Sequence, residues 1–244
     1  MIEQLPLLDK RWNRRRQVFV PPTDRIDPNV YHVQTIATAA ARTFVTEHHY
    51  SSAFVAARAN VGLFREGRLV GVATFSHPMS DKVLTKYLGH RDGCELGRFV
   101  LLDSEPFNAE SWFLARALRV LRVEKPTLRG VVSFADPMER RDAAGQITKP
   151  QHFGQIYRAS NAAFAGRSSV RSLIVAPNGT SLSPRALSKI RGAEQGREYA
   201  QRQLEAAGVS PRRPAESGAA WLRRVDGALT RVAHPGNLAF TFAL

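Results

Sequence analysis

The chain has 244 residues, enough for one sizeable core with an appendage. Its formal net charge is +14, carried far more by arginine than by lysine, which favours a polyanionic partner because a planar guanidinium can hold two phosphate oxygens at once. No apolar run approaches the ~18 residues of a membrane span, and the single cysteine, Cys94, excludes an internal disulfide and a cysteine-cluster zinc site.

The amino terminus has no basic segment ahead of an apolar one, so no secretion signal is expected, and a reducing cytoplasm fits. Residues 1–30 read as an irregular basic arm, with Arg14 and Arg15 inside a charge cluster and Pro21-Pro22 and Asp27-Pro28 as punctuation. Apolar spacing predicts a helix over 33–47, followed by His48-His49-Tyr50. Two strands follow, Val61–Phe64 and Leu69–Phe75, joined by a turn with Gly67 where positive φ is needed. A third strand covers Glu95–Leu101. Asn108 is the expected N-cap of a helix over Ala109–Leu121. Gly130–Ala135 is a continuous apolar run, as a central strand requires, and Asp136-Pro137 stops it. A short helix is expected over Ile156–Phe164, closed by Gly166, then a basic helical stretch after Pro177 and a final edge or closing strand at Leu238–Phe242.

This order predicts an α/β fold, a mixed central sheet flanked by helices. It divides into a basic N-terminal arm (1–30), a catalytic core (31–176) and a basic C-terminal extension packed on that core (177–244). Chemistry concentrates at three separated places. They are His48-His49-Tyr50, the strand end Ser133-Phe134-Ala135-Asp136-Pro137, and the segment His152-Phe153-Gly154-Gln155-Ile156-Tyr157-Arg158-Ala159-Ser160-Asn161. Hydroxyls, amides and a carboxylate crowd element boundaries there, which suits a reaction site better than a core. No metal ligand set is assigned, because adjacent histidines diverge and seldom share an ion.

Six motifs stand in order along residues 45–195: His48-His49-Tyr50, Gly71–Phe75, Glu95-Leu96-Gly97-Arg98-Phe99, Asn108–Trp112, Ser133–Pro137 and His152–Asn161. Together they resemble the Mom family of phage DNA-modification proteins. The resemblance implies a transferase with a mixed sheet like that of the GCN5-related N-acetyltransferases, in which the cofactor sits between two splayed central strands. It implies a phage-encoded enzyme working in the cytoplasm of a bacterial host. Its substrate would be double-stranded DNA, with adenine converted to N6-carbamoylmethyl-adenine and thereby hidden from restriction enzymes. Acetyl-CoA enzymes of this fold carry a glycine-rich loop that cradles pyrophosphate at a helix start. Here that stretch, Leu102–Asn108, has no glycine and contains Asp103 and Glu105.

Adenine N6 is a weak nucleophile inside a base stack, so its reaction needs a base, an activated electrophile and a flipped nucleotide. Asp136 is the expected general base, with His49 and Tyr50 as further catalytic groups. Ser133, Arg98, Asn108, Ser111, His152, Tyr157, Ser160 and Asn161 are expected around the substrates, with Tyr157, Ser160 and Asn161 sharing a helical face. Arg14, Arg15, Arg185, Lys189 and Arg191 are expected phosphate contacts. Each has a plain alternative: an Asp-Pro turn, a capping network, a core tyrosine, a solvated basic face. The donor would be an acyl or aminoacyl group, either glycyl-tRNA or a CoA thioester. A glycyl group placed on N6 can rearrange, its amine attacking C6 through a five-membered ring, to give the carbamoylmethyl product. Two other classes remain open, an acetyl-CoA-dependent N-acetyltransferase acting on a protein or small amine, and a non-catalytic DNA-binding protein with a helix-turn-helix in residues 183–208.

Overall fold

A computed structural model describes residues 25–51, 53–106 and 108–244, and the backbone alone of residues 9–13 and 16–20. In chain order, β1 (Asp9–Asn13) and β2 (Arg16–Val20) pair as an antiparallel hairpin. Then come β3 (Tyr31–Thr35), α1 (Thr38–His48), β4 (Ala57–Arg65), β5 (Arg68–Ser76), α2 (Asp81–Leu88), β6 (Gly93–Leu101), α3 (Ala109–Glu124) and β7 (Gly130–Ala135). Short strands β8 (Arg140–Arg141) and β9 (Ile147–Lys149) precede α4 (Gln155–Ala159), β10 (Ala163–Arg167), β11 (Arg171–Val175) and β12 (Ser181–Leu182). The chain finishes with α5 (Pro184–Arg191), α6 (Arg197–Ala206), α7 (Gly218–Val225), β13 (Thr230–His234) and β14 (Leu238–Ala243). No helix among the described residues is long and apolar enough to cross a membrane.

Packing divides the chain into two compact units. The first comprises Met1–Pro137, His152–Ser168 and Asn237–Leu244, and the second Met138–Gln151 and Ser169–Gly236. The first is built on a seven-stranded mixed sheet in the order β10-β14-β7-β6-β5-β4-β3. The hairpin β4–β5 turns on Glu66 and Gly67, both at positive φ (50° and 80°), the two-residue geometry that matches strand twist. Helices cover both sheet faces, so β5 is buried nearly end to end instead of alternating. Val72 meets Ala41, Phe44 and Val45 of α1, while Ala73 and Phe75 meet Phe113, Leu114, Ala117 and Leu121 of α3 on the opposite face.

Every pair in this sheet is antiparallel except β6–β7, which need the long crossover through α3 to run parallel. They pair only from Gly93–Glu95 to Gly130–Val132. Beyond that they part, while β14 pairs along the whole other side of β7. The opening between two central strands is the feature expected of this fold. On β6 the register steps from Thr74↔Arg98 to Phe75↔Leu96, so Gly97 is an extra, bulged residue. A Cβ there would press on the Ser76 hydroxyl and on Val55, so glycine lets the bulge sit close against β5 without displacing them.

The second unit has an antiparallel sheet β12-β11-β13, a β8–β9 ribbon, and α5, α6 and α7 around the fully buried Trp221 with Leu187, Ile190, Leu204, Leu222 and Val225. The Trp221 indole N–H donates to the Ser210 carbonyl at 2.8 Å.

Four expectations about elements are corrected. The helix expected over 33–47 begins only at Thr38, and Tyr31–Thr35 is a strand on β4. The helix expected through Phe164 stops at Ala159, because Asn161 takes a left-handed φ of 62° and Ala163–Arg167 then pairs with β14. Leu238–Phe242 lies inside the sheet, paired on both sides. Within the arm, residues 9–13 and 16–20 pair as antiparallel strands.

Candidate active site

The parting of β6 and β7 opens a cleft of about 250 Å³ in the first unit. Five consecutive β6 residues, Glu95 to Phe99, line it, an arrangement that the Gly97 bulge permits. Phe134 and Asp136 come from the end of β7, His49 and Tyr50 from the C-terminal end of α1, and His152 and Tyr157 from the turn into α4. Asn237, just before β14, completes the wall. Six residues expected from sequence meet here: His49, Tyr50, Arg98, Asp136, His152 and Tyr157. Ser133 is fully buried one position deeper on β7, beside Tyr157.

Backbone geometry holds these side chains. The His152 N–H donates to the Asp136 carbonyl at 2.9 Å, tying the two segments together. Gly154 sits at φ 73°, and a Cβ there would come within 2.3 Å of Phe240, so the turn into α4 is seated on β14. The His152 ring meets Tyr157 edge-on at 5.3 Å, and Tyr157 packs on Phe240 and Phe242 at 5.4 and 6.2 Å. Arg98 donates from Nε to the Ala53 carbonyl at 2.7 Å and from Nη1 to the Gly97 carbonyl at 2.5 Å, which fixes its guanidinium. His49 lies 4.3 Å from Tyr50, ring to ring.

The site's electrostatics follow from burial. Desolvation first, then the positive charge of Arg98 and His152, pushes the His49 imidazole down to about 3, so it is neutral at ordinary pH. Burial pushes the Tyr157 phenol up to about 12, with the Ser133 hydroxyl opposing. Burial also raises Glu95 above the usual carboxylate range, and Arg98 opposes that shift.

Other expected residues are elsewhere. Asn108 makes no side-chain cap; its Oδ1 accepts from the Ile26 N–H at 2.8 Å, and Ser111 Oγ donates to the Asn108 carbonyl at 3.2 Å. Neither lines the cleft. Ser160 and Asn161 do not extend the helical face of Tyr157, because α4 has already ended. Asn161 is exposed, and Ser160 Oγ is buried without a hydrogen-bond partner. In the second unit Arg185 is tied to Glu194 through two hydrogen bonds of 3.0 and 2.5 Å. Lys189 is half-buried, and Arg191 is exposed on a groove of about 530 Å³ that Arg223 and Arg231 also border. Arg14 and Arg15 lie outside the described residues.

Glu95 and Asn237 were missed as site residues. In the sequence Glu95 reads as an ordinary charge on its strand, able to pair with Arg98, and nothing local marks it as a site residue. The signal for Asn237 was the Pro235-Gly236 turn entering the last strand, with Gly236 at φ 89°, and it becomes legible only once β14 is known to lie against β7.

The stretch ahead of α3 does not fit a CoA pyrophosphate. Glu105 is buried there at 2% exposure, accepts from the Tyr31 hydroxyl and from Ser104 Oγ at 3.0 Å, and lies 3.8 Å from Arg65. A buried carboxylate where a diphosphate would bind repels it. Among the described residues no group of three or more His, Cys, Asp or Glu side chains is placed to hold a metal ion.

Comparison with known proteins places this arrangement. A tandem GNAT protein from the clavulanic acid biosynthesis pathway aligns with a TM-score of 0.43 at 10% identity, over 87% of this chain and 98% of that one. An acetyltransferase of the GNAT family from Streptococcus pneumoniae aligns with a TM-score of 0.30 at 12% identity, over 47% and 55%. The methylcarbamoylase mom of Escherichia phage Mu is 36% identical over 138 residues, 55% of this chain and 53% of its own length. The chain thus spans about half the length of that relative. The family model of the Mom protein family matches residues 30–213, a stretch that contains every cleft residue named above except Asn237. The chain belongs to the Mom protein family.

Proposed function

We infer that the chain is a DNA-modifying transferase that acts on the exocyclic N6 of adenine in double-stranded DNA and leaves N6-carbamoylmethyl-adenine, which shields the DNA from restriction. One observation carries this reading: polar groups from separated parts of the chain, His49, Tyr50, Glu95, Arg98, Asp136, His152 and Tyr157, converge on one small cleft. Pockets for drug-sized ligands run from ~300 Å³ upward. At about 250 Å³, with Phe99 and Phe134 among its walls, this one suits a single planar base turned out of a duplex.

In this reading Asp136 removes the N6 proton as the electrophile arrives, and Glu95 is the second carboxylate in reach of the site. His49, neutral and carrying its proton on Nε2, donates a hydrogen bond without adding charge. Tyr157 stays protonated and donates as well. Arg98, held by two carbonyls, faces the charge that develops on the donor. The donor is an activated acyl or aminoacyl group that needs no diphosphate cradle, and glycyl-tRNA meets that requirement. A glycyl amide on N6 would rearrange through its own amine to the carbamoylmethyl product. Lys189, Arg191, Arg14 and Arg15 are the proposed phosphate contacts, with Arg185 already engaged by Glu194.

The test is restriction sensitivity. Plasmid from a bacterial host expressing this chain is expected to resist enzymes whose sites contain adenine. Full sensitivity with abundant folded protein would refute the reading.

A further inference from the structure

Phe153 is a large apolar side chain left 49% exposed, immediately beside the cleft-lining His152. Its mounting is unusually firm for an exposed loop residue. On one side the His152 backbone is bonded to the Asp136 carbonyl at 2.9 Å, and the His152 ring is packed on Tyr157. On the other side Gly154 is buried in a left-handed turn against Phe240, its N–H reaches His152 Nδ1 at 3.4 Å, and its carbonyl accepts from Arg158 at 3.1 Å. The backbone on both sides is thus anchored, His152 at the cleft and Gly154 against β14, and the half-exposed ring follows directly on a cleft-lining residue. Phe164, another exposed phenylalanine, differs: it packs on Phe240 and is covered by the Arg158 guanidinium. With half of its surface in solvent and no ring partner among the aromatic contacts of the described residues, Phe153 gives the fold less than a core phenylalanine does, and an exposed aromatic beside a polar cleft is otherwise a liability.

We propose that Phe153 is the wedge that enters the base stack and occupies the gap left when the target adenine turns into the cleft. This rests on the DNA-modification reading. A turned-out base leaves its neighbours unstacked, and an apolar side chain inserted between base steps recovers part of that loss. The benefit is greatest in duplex DNA, where turning out a base breaks a pair and leaves a gap fixed between two paired neighbours, whereas a flexible single strand closes or avoids such a gap.

The test uses the purified full chain, with cleared bacterial extract supplying the donor. The substrates are a circular single-stranded phage DNA and its duplex form of the same sequence, with modified adenine read by nucleoside mass spectrometry. Phe153→Ala is expected to lower modification of the duplex about tenfold or more and to leave the single strand within about twofold. Phe153→Trp, which keeps an aromatic face, is expected to restore the duplex. Equal losses on both substrates, or no loss on the duplex, would overturn the wedge while leaving the DNA-modification reading intact. Modification of neither substrate by the unaltered chain would overturn both.

Discussion

The backbone N–H of Ser51 reaches Nδ1 of His49 at 3.1 Å, and the Ser51 hydroxyl lies 2.8 Å from the same nitrogen. An amide can only donate, so Nδ1 is the acceptor and the imidazole proton sits on Nε2. Local sequence alone, a serine two residues after a histidine that ends a helix, sets the tautomer of a cleft residue.

That neutral imidazole ties stability to pH. Burial holds His49 near 3 in the fold, against 6.5 for a solvated imidazole. Between those values the unfolded chain binds a proton that the folded chain does not, so stability is full above pH 6.5 and is lost as pH falls towards 3. Thermal melting across this range is expected to show a steeper acid loss for the unaltered chain than for His49→Gln. Parallel curves would refute the assignment.

Two glycines with nearly equal φ separate backbone strain from packing. Gly154 (φ 73°) has Phe240 within 2.3 Å of where a Cβ would go, whereas Gly145 (φ 78°) has nothing within 4 Å. Gly145→Ala is expected to cost about 1 kcal/mol through backbone strain alone. Gly154→Ala adds overpacking and should cost about 2–4 kcal/mol. Denaturant titration of both variants measures the difference, and equal costs would mean the turn is not seated on Phe240.

Tyr157, pushed up to about 12, keeps its proton across the working range. Tyr157→Phe is therefore expected to lower turnover at every pH without moving the alkaline limb of the profile. A limb that shifts in the variant would make the phenol a titrating catalyst.

The second unit offers a salt-dependence test of DNA contact. Removing one phosphate-binding cation lowers the slope of log affinity against log salt by about 1. Arg191→Ala is expected to do so, while Arg185→Ala leaves the slope unchanged, its guanidinium being paired with Glu194. Equal effects, measured by fluorescence anisotropy on a duplex oligonucleotide over a range of salt, would remove the distinction.

Much of the core was legible because its signals are local. Glu66-Gly67 announces a tight hairpin and the unbroken run Gly130–Ala135 a doubly covered strand. The helix after Asn108 is equally plain, but its face is not: the apolar spacing favours Trp112, Ala115, Leu118 and Val120-Leu121 inward, whereas Phe113, Leu114, Ala117 and Leu121 are the buried positions. The misread elements lacked such a signal or carried it weakly. Tyr31 and Val33 alternate with period two but run straight into the apolar Ile36, which extends a helical pattern backwards. The helix Asp81–Leu88 went unread although Ser80 caps it and Gly89 ends it in a left-handed turn, because only Leu84 on it is buried. In the site, the polar clusters at element boundaries are legible, whereas Glu95 reads as an ordinary strand charge and Asn237 is brought in by pairing. Asp136, His152 and Tyr157 fall at element boundaries dense in polar groups. Asn237 reaches the cleft only because β14 inserts between β10 and β7, a long-range pairing that no local pattern encodes.

Nucleoside mass spectrometry of plasmid DNA from a bacterial host bears most directly on the central claim, comparing the unaltered chain with Asp136→Asn. The account predicts an adenosine heavier by one carbamoylmethyl group, with the amount falling at least about a hundredfold in the variant. Unmodified DNA from folded, abundant protein, or equal modification by Asp136→Asn, would contradict it.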